Sequence, residues 1–591
     1  MWAAVALALW AGAIFLTGGF RVRLPGVTIA ARDPLRPLAV AALLVAGGYL
    51  VAGRRAIDDD LEGVGRGFDR VAPGIAATAA VAAIAVGLHW GSFAASGVDA
   101  YGYVSQAALW LRGTLRVEQP FVASLTWPAA DSAFAPMGYR AATSGHAIVP
   151  SYPAGLPLLM ALSERLAGAC APYYLAPIMG GACVWCAFLI GRRVASAAIG
   201  ACAAVLLVCS PPFLFHLVVP MSDVPAAALW SAAILMTLGG GARDAALAGA
   251  FTALAVLVRP NLVPLAVVVG VFVILPGATT PAAGSWRTRA AWFAAFAIAA
   301  AAVVAVVNWR SFGSPLKSGY DDLADTYAVD HILVNARHYA RWLIQTHSPL
   351  LVLAAAGLVV PLASRWRVIA PRAAALFLAF TLVLTASYLP YVVFRDWYFV
   401  RYFLPALPLL LVAMLALLAR AAAPMPPAVR LFGAMALMAL LVRHELRFAL
   451  DAGFAHLGAN ERRYVAVARF VEASMPANAA FLALQHGGSI RHYANRVTLR
   501  FDLVSVGLDE ALASLERAGW RPYILLEDWE ETQFKAQFGG ASKAGQLDWR
   551  PLARLPEPGG VNIYDPTMAS GSQRHEMATI PQPAACDCRH Y

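Results

Sequence analysis

The sequence predicts a mainly α-helical, polytopic membrane protein with a small α/β domain at its C-terminal end. Three observations support this fold class. Hydrophobic residues make up 60% of the 591 residues and charged residues only 13%, which excludes a purely soluble globular protein. Apolar runs of about 17 to 20 residues, long enough to cross a bilayer as a helix, recur from the first residue to about Val442. After Arg443 the apolar runs become short and alternate with polar stretches.

The apolar runs predict about thirteen membrane-spanning helices. They lie at about 2–20, 37–53, 73–90, 173–191, 195–214, 224–240, 244–258, 262–276, 290–308, 349–364, 372–390, 402–419 and 430–443. The first run has the length of a signal peptide, but it lacks the basic start that such peptides carry. We therefore interpret it as a retained helix.

Arginines in short loops predict the orientation of the bundle. One side carries Arg192, Arg193, Arg243, Arg287, Arg372 and Arg420, and the positive-inside rule makes that side cytoplasmic. The other side carries segment 216–223 without Lys or Arg, and the longer segments 91–172 and 309–348. An odd number of spans then places the N-terminus in the cytoplasm and everything after Arg443 on the extracytoplasmic side of the cytoplasmic (inner) membrane. Because the basic residues follow topology, the net charge of +11 gives no reason to expect nucleic-acid binding.

We expect four regions along the chain. Residues 1–72 form a membrane helical hairpin and a cytoplasmic loop, and residues 73–443 form the main transmembrane domain, which contains an outer segment at 91–172. Residues 444–566 form an extracytoplasmic α/β domain, and residues 567–591 are disordered. We call residues 444–591 the tail. Its strands are predicted at Ala480–Leu484, Val497–Leu503, Pro522–Glu527 and Val561–Tyr564, and its helices at about 461–474 and 509–518.

Two carboxylates at the outer ends of apolar spans are candidates for chemistry, because charge next to hydrocarbon is costly. Asp99 follows the third span by a few residues, and Asp223 begins the sixth span. A structural explanation exists for Asp223, since an acidic residue in a first helical turn gains about 0.3–1 kcal/mol from the helix dipole. Arg259 lies between two short apolar spans, where a cation is expensive unless it meets an anion or a carboxylate such as Asp223.

Several motifs lie around these charges. In chain order they are Asp99 after an early span, Tyr152-Pro153-Ala154-Gly155-Leu156-Pro157 at the end of a long outer loop, Met221-Ser222-Asp223-Val224-Pro225, Arg259-Pro260-Asn261, Asn308-Trp309-Arg310 with Ser318-Gly319-Tyr320, and Arg401-Tyr402-Phe403-Leu404-Pro405. In this order the chain resembles the GT-C superfamily of membrane glycosyltransferases, which contains protein O-mannosyltransferases and aminoarabinose lipid A transferases. The resemblance covers roughly residues 73–420.

The resemblance implies an enzyme that transfers a sugar from a polyprenyl-phosphate donor to an acceptor hydroxyl on a glycan, lipid or protein outside the membrane. A hydroxyl must lose its proton as it attacks the anomeric carbon, so we assign Asp99 as the general base, alone or together with Asp223. The lipid phosphate that leaves is an anion, so we assign Arg259, Arg395 and Arg401 to bind it. Tyr101, Tyr152 and His146 are our candidates for contacts with substrate.

Some members of the superfamily use a divalent metal. Asp99, Asp223, His146 and His216 offer suitable atoms, but their spacing specifies no site, so we predict no metal-binding residues. The main alternative function is a transporter or flippase for a lipid-linked sugar. That alternative is weaker because the chain shows no internal repeat, and its Pro-containing breaks lie at the ends of spans rather than at their middle.

Overall fold

The computed structural model describes residues 1–24, 27–125, 127–275, 285–320, 323–363, 366, 368–556, 559–569 and 576–581. Most of these residues are helical. The helices before the tail are α1 Trp2–Thr17, α2 Leu35–Ala52, α3 Arg54–Trp90, α4 Asp99–Leu111, α5 Ala130–Ala133, α6 Gly155–Ala167, α7 Ala171–Val194, α8 Ala197–Cys209, α9 Pro211–Leu217, α10 Asp223–Thr237, α11 Ala242–Val258, α12 Val263–Ile274, α13 Trp286–Phe312, α14 Leu323–Thr326, α15 His331–His347, α16 Leu353–Ala363, α17 Pro371–Tyr388, α18 Leu407–Ala422 and α19 Pro427–Asp451.

Each of the predicted apolar runs coincides with one of these helices or with a bent pair of helices. Within the described ranges, five helices are long and apolar enough to cross a membrane, and counting each of two bent pairs as one span raises the number to seven. The bent pairs are α8 with α9, at 62°, and the 3₁₀ helix Trp397–Phe403 with α18, at 85°. The chain is a multi-pass membrane protein, and the count of thirteen spans stays a prediction.

The prediction of a loop at residues 54–72, between the second and third apolar runs, is wrong, because these residues form the first half of the 37-residue helix α3. The reason is an apolar stripe within the charged sequence. Ile57, Leu61 and Val64 are buried and recur at intervals of four and three residues, which places them on one helical face. The neighbouring charges then face outward. The loop at 21–36 also contains structure that was not predicted, an antiparallel hairpin of β1 Phe20–Leu24 and β2 Val27–Ala31.

The outer segment folds around a small antiparallel sheet. Its strands are β3 Val117–Glu118, β4 Tyr139–Ala141 and β5 Ala147–Pro150, and β5 lies in the middle. The last residue of β5 precedes the turn that carries Tyr152, and helix α6 follows directly at Gly155. The sheet therefore fixes the end of the outer segment from which Tyr152 extends.

The tail contains a six-stranded sheet with helices. Its strands are β6 Ala479–Leu482, β7 Val497–Leu499, β8 Arg521–Glu527, β9 Ala553–Leu555, β10 Val561–Tyr564 and β11 Ala578–Thr579, in the order β11-β9-β10-β8-β6-β7. Its helices are α20 Leu457–Ser474, α21 Gly487–Ala494, α22 Leu508–Arg517, α23 Asp528–Phe538 and α24 Lys543–Gln546. Strands β7, β6 and β8 run parallel to one another, and β10 is antiparallel to β8 and β9. The four predicted strands lie within a few residues of β6, β7, β8 and β10.

The predicted disorder of residues 567–591 is partly wrong. Strand β11 pairs with β9 in parallel, and Ile580 beside it is 1% exposed, so this part of the tail belongs to the sheet. A buried isoleucine explains the pairing, because its apolar surface gains free energy from joining the core. Residues 570–575 and 582–591 lie outside the described part of the chain.

The outer segment and the tail share one hydrophobic core. Val122, Trp127 and Phe134 of the outer segment pack in the same buried cluster as Leu482 and Leu526 of the tail sheet. Polar contacts follow the same interface: the guanidinium of Arg491 donates to Gln119 Oε1 at 3.0 Å and to the Phe134 carbonyl at 2.7 Å. The two regions therefore stabilise each other.

Candidate active site

Four charged residues distant in sequence meet at the ends of helices. Asp99 and Asp223 are the first residues of α4 and α10, Arg259 follows the last residue of α11, and Arg401 lies in the 3₁₀ helix before α18. Each position sits where an apolar helix gives way to a loop, so the charges avoid the hydrocarbon-like interior of the bundle. We call Asp99, Asp223, Arg259 and Arg401 the charged cluster.

Ion pairs connect the charged cluster in a chain. Arg259 Nη2 lies 2.7 Å from Asp223 Oδ1, Arg401 Nε lies 3.8 Å from the same oxygen, and Arg401 Nη1 lies 3.1 Å from Asp99 Oδ2. The side chain of Asp223 is 0% exposed and those of Arg259 and Arg401 are 12% and 11% exposed, whereas that of Asp99 is 31% exposed. Two carboxylates and two guanidiniums balance in formal charge, and Asp99 is the member most open to solvent.

Hydroxyl groups hold the carboxylate and arginine side chains in place. Tyr152 Oη donates a hydrogen bond to Asp99 Oδ1. Burial raises the pKa of Tyr152 well above its ordinary value and the charge of Asp99 raises it further, so the phenol keeps its proton and acts as a donor. On the other side, Ser222 Oγ accepts from Tyr103 Oη at 2.8 Å and from Arg259 Nε at 3.2 Å.

Close contacts explain two glycines near these side chains. A Cβ atom on Gly102 would lie 2.4 Å from the ring of Tyr152, so this position in α4 leaves room for the tyrosine. A Cβ on Gly319 would lie 2.1 Å from the carbonyl oxygen of Ser151, which brings the Ser318-Gly319-Tyr320 motif against the turn before α6. The ring centroids of Tyr152 and Tyr320 are 6.3 Å apart.

Aromatic side chains surround the two arginines. The guanidinium carbon of Arg401 lies 5.0 Å from the ring centroid of Phe399 and 5.4 Å from that of Tyr402, and the guanidinium carbon of Arg259 lies 5.7 Å from the Tyr402 ring. Tyr402 stacks in turn on Tyr388 with centroids 4.4 Å apart. These cation–π contacts are stronger in a desolvated site and favour one orientation of each guanidinium.

Several buried polar atoms of this region have no hydrogen-bond partner among the described residues. They are Asp223 Oδ2, Arg259 Nη1, Arg401 Nε and His216 Nε2. His216 is 0% exposed, its Nδ1 lies 2.7 Å from the Pro212 carbonyl oxygen, and its ring centroid lies 4.2 Å from that of Tyr398. Unpartnered buried donors are costly, and they are typical of sites that complete their hydrogen bonds with a ligand.

The structure places three predicted site residues away from the charged cluster. Arg395 is exposed in the loop before Trp397–Phe403. His146 is 43% exposed, and its Nδ1 lies 2.9 Å from Asp131 Oδ1 rather than beside the charged cluster. Tyr101 is buried and its ring packs against Gly488 of the tail, where a Cβ would lie 2.3 Å from it.

The sequence did not identify Tyr103, Ser222, Tyr388 and Tyr402 as parts of this site. Tyr103 and Tyr402 occur among many outer aromatic residues, and an interfacial aromatic belt explains such residues without any site. Ser222 directly precedes Asp223, so its place in the motif was the only available indication.

The charged cluster does not fit a divalent metal. Within the described ranges, no group of three His, Cys, Asp or Glu side chains is arranged to hold a metal ion. Arg401 contacts both Asp99 and Asp223, so a guanidinium rather than a cation with oxygen ligands joins the two carboxylates. We therefore derive no chemical step through a metal.

Comparison with solved structures identifies the fold. ArnT from Cupriavidus metallidurans in the apo state has a TM-score of 0.50 and 12% identity, and the match covers 84% of this chain and 98% of that chain. The oligosaccharyltransferase from Archaeoglobus fulgidus in the apo form also has a TM-score of 0.50 and 12% identity, covering 78% of this chain and 70% of that one. Both are GT-C glycosyltransferases. The chain has the GT-C fold.

The resemblance predicted from the motifs is thus confirmed for the fold. No family model matches the sequence, and no curated protein matches it either. A structure of the same ArnT bound to undecaprenyl phosphate has a TM-score of 0.48 and 11% identity, covering 83% of this chain and 99% of that chain.

Proposed function

We propose that this GT-C protein is an integral membrane glycosyltransferase that transfers a sugar from a polyprenyl-phosphate donor to an acceptor hydroxyl outside the cytoplasmic membrane. One observation carries the proposal: the charged cluster joins a partly exposed carboxylate to two arginines that are about nine-tenths buried, each with one N–H group that has no hydrogen-bond partner within the described part of the chain. This combination supplies a base for a hydroxyl and donors for a phosphate within one site.

Asp99 acts as the general base in this proposal. Its side chain is the most exposed of the charged cluster, so an acceptor hydroxyl can approach it from solvent. Tyr152 donates to one carboxylate oxygen and Arg401 to the other, which fixes the orientation of the carboxylate. As the acceptor oxygen attacks the anomeric carbon, Asp99 takes its proton and the bond between that carbon and the phosphate oxygen breaks. Asp223 is too enclosed for this role, and it orients Arg259 and Arg401 instead.

The two buried arginines bind the phosphate of the donor and stabilise the negative charge that grows on it as it leaves. Arg259 Nη1 and Arg401 Nε are buried and have no hydrogen-bond partner among the described residues. Two guanidiniums that already face each other across Asp223 need little reorganisation to accept a phosphate, which favours transition-state stabilisation. Arg395 extends this proposal as an exposed cation on the preceding loop, where it attracts the headgroup before it reaches the cluster.

The three predicted substrate contacts differ in how closely they approach the charged cluster. Tyr152 is the strongest of the three predicted contacts because it touches Asp99 directly. Tyr101 and His146 lie farther away, and we propose that they affect the acceptor through the shape of the outer segment. The tail is proposed to lie on the same extracytoplasmic side as Asp99, because it packs on the outer segment.

The proposal is tested with purified protein in lipid nanodiscs and a panel of polyprenyl-phosphate sugars. Asp99→Asn should lower the transfer rate by about 10²- to 10⁴-fold, since it removes the base. Glu118→Gln is the matched control, because Glu118 is also an outer-segment carboxylate but is exposed and pairs with Arg116. Equal rates for Asp99→Asn and wild type would reassign the base, and absence of transfer from every donor would overturn the proposed function and favour a flippase.

A further inference from the structure

The loop that leads into Asp99 adopts a strained backbone. Residues 91–98, which we call the entry loop, connect α3 to α4. Phe93 has φ 45° and Gly97 has φ 53°, so both lie in the left-handed region that residues other than glycine rarely occupy. For a residue with a side chain, such as Phe93, this conformation is strained and persists only where surrounding contacts determine it, whereas Gly97 adopts it without strain. The entry loop therefore depends on its neighbours for its shape.

Those neighbours include side chains of the tail. Tyr493 Oη accepts a hydrogen bond of 2.6 Å from the backbone N–H of Ala95. A Cβ atom on Gly97 would lie 3.7 Å from Tyr464 Oη and 3.8 Å from Gln485 Oε1, so the glycine lies directly over these two groups. We call Tyr464, Gln485 and Tyr493 the socket.

A buried charged group lies behind the socket. Arg463 Nη2 donates to Tyr464 Oη at 3.1 Å, and its Nε lies 3.2 Å from Glu527 Oε1. His486 stacks on the Tyr464 ring with centroids 4.4 Å apart, and its Nε2 lies 3.2 Å from the same Glu527 oxygen. Buried ion pairs contribute little net stability because of desolvation, but they fix the geometry of what they contact. Here they fix Tyr464.

The socket occupies the place where sheets of this kind usually bind a ligand. From β6 the chain crosses to β7 on one side and then to β8 on the other, so the strand order changes direction between β6 and β8. Gln485 and His486 follow β6, and Glu527 ends β8, at the carboxyl ends of these parallel strands. Crevices at such switch points are the usual binding places of α/β sheets. In this protein the entry loop lies over that crevice.

We propose that Tyr493 and Tyr464 are positioning residues, which hold the entry loop and thereby set the place of the Asp99 carboxylate. This inference rests on the proposed function, because Asp99 is assigned there as the base. The tail thus acts on the reaction through the backbone that ends at Val98, without contact to the substrate. A misplacement of about 1 Å at a catalytic group costs about 10²-fold in rate, so loss of one anchor has a measurable effect.

The test compares Tyr493→Phe with wild type by two measurements in nanodiscs. Hydrogen exchange at the Ala95 amide should become about 2- to 10-fold faster, as expected for one lost hydrogen bond. The kcat of sugar transfer should fall at least about tenfold while the KM for the donor changes less than about twofold. Tyr523→Phe is the matched control, since Tyr523 stacks on Phe481 inside the tail. If Tyr493→Phe does not fold, Gly97→Ala replaces it, because a Cβ atom at φ 53° strains the same loop next to Tyr464 and Gln485.

Each outcome decides one part of the inference. Unchanged exchange at Ala95 would show that Tyr493 does not hold the loop, and faster exchange with unchanged kcat would show that the loop does not position Asp99. A fall in kcat matched by an equal rise in KM would indicate a binding role and overturn the proposal. If the wild type transfers no sugar, the proposed function fails, and faster exchange in Tyr493→Phe still supports the anchoring by itself.

Discussion

Asp223 is the member of the charged cluster with the least access to solvent, and Arg259 is its nearest partner at 2.7 Å. Removing one member of a buried pair leaves a charge without compensation, whereas removing both avoids that penalty. The consequences of substitution at this site therefore depend on which residues are changed together.

Arg259→Met should lower the free energy of unfolding by about 3–5 kcal/mol, because it leaves Asp223 buried and poorly compensated. The double variant with Asp223→Asn should lose less than the sum of the two single losses. Thermal unfolding in detergent measures both, with the exposed Arg165→Met as a control expected to change stability by less than about 0.5 kcal/mol. Strict additivity in the double variant would contradict the pairing.

The buried carboxyl group of Glu530 in the tail should make the stability of the protein depend on pH. Burial raises its pKa to about 7, although the backbone N–H groups of Glu527 and Gln485 lower it in part. The folded state therefore keeps a proton between about pH 4.5 and 7 that the unfolded chain releases, and stability falls as the pH rises through this range.

Replacement of Glu530 by Gln should flatten the fall in the unfolding temperature between about pH 4.5 and 7, even if it lowers the temperature as a whole. A glutamine side chain has only one oxygen and cannot accept both backbone hydrogen bonds, so the substitution can lower the unfolding temperature at every pH. The slope of the unfolding temperature against pH is therefore the quantity to compare. Lys535→Met on the same helix is a control that should leave the slope unchanged. A variant with the slope of the wild type would show that Glu530 does not titrate in this range.

At the scale of elements, helix α6 packs very closely against α11. A Cβ on Gly155 would lie 2.3 Å from the carbonyl carbon of Leu257, two residues before Arg259. The glycine of the Tyr152-Pro153-Ala154-Gly155 motif is thus required by helix packing, and the same contact connects the turn of Tyr152 to the position of Arg259.

Gly155→Ala should separate α6 from α11, lower stability by about 1–3 kcal/mol and reduce transfer activity, because both ends of the charged cluster move. Gly74→Ala in α3 is the matched control: no atom lies within 4 Å of its Cβ, so that substitution should be neutral or slightly stabilising. Unfolding temperature and transfer rate are measured on the same preparations. Equal behaviour of the two variants would refute the packing argument.

The elements also show what the sequence can and cannot predict. Apolar runs located the membrane helices, and charges at the ends of those runs located Asp99, Asp223, Arg259 and Arg401, because both follow from the cost of polar groups in hydrocarbon. The first half of helix α3 was missed, because its stripe of three apolar residues lies among many charges. The contacts of Arg401 with Asp99 and of Tyr103 with Ser222 join residues 302 and 119 positions apart, and no local pattern encodes such pairs.

At the scale of the whole molecule, the predicted boundary after Arg443 divides the chain but does not divide the core. Deleting the tail should expose Val122, Trp127 and Phe134, so the outer segment should lose its structure along with the tail. We expect rapid proteolysis within residues 115–150 of such a truncated protein, with the transmembrane helices retained. Resistance of that segment would show that it folds independently.

The same shared core imposes an order on biogenesis. Gln119 leaves the ribosome 372 residues before its partner Arg491, which at about 5–20 residues per second is an interval of about 20 to 70 seconds. Throughout that interval the apolar side chains of the outer segment have no tail to cover them. We therefore expect the outer segment to complete its folding only when the last strands of the tail have been synthesised.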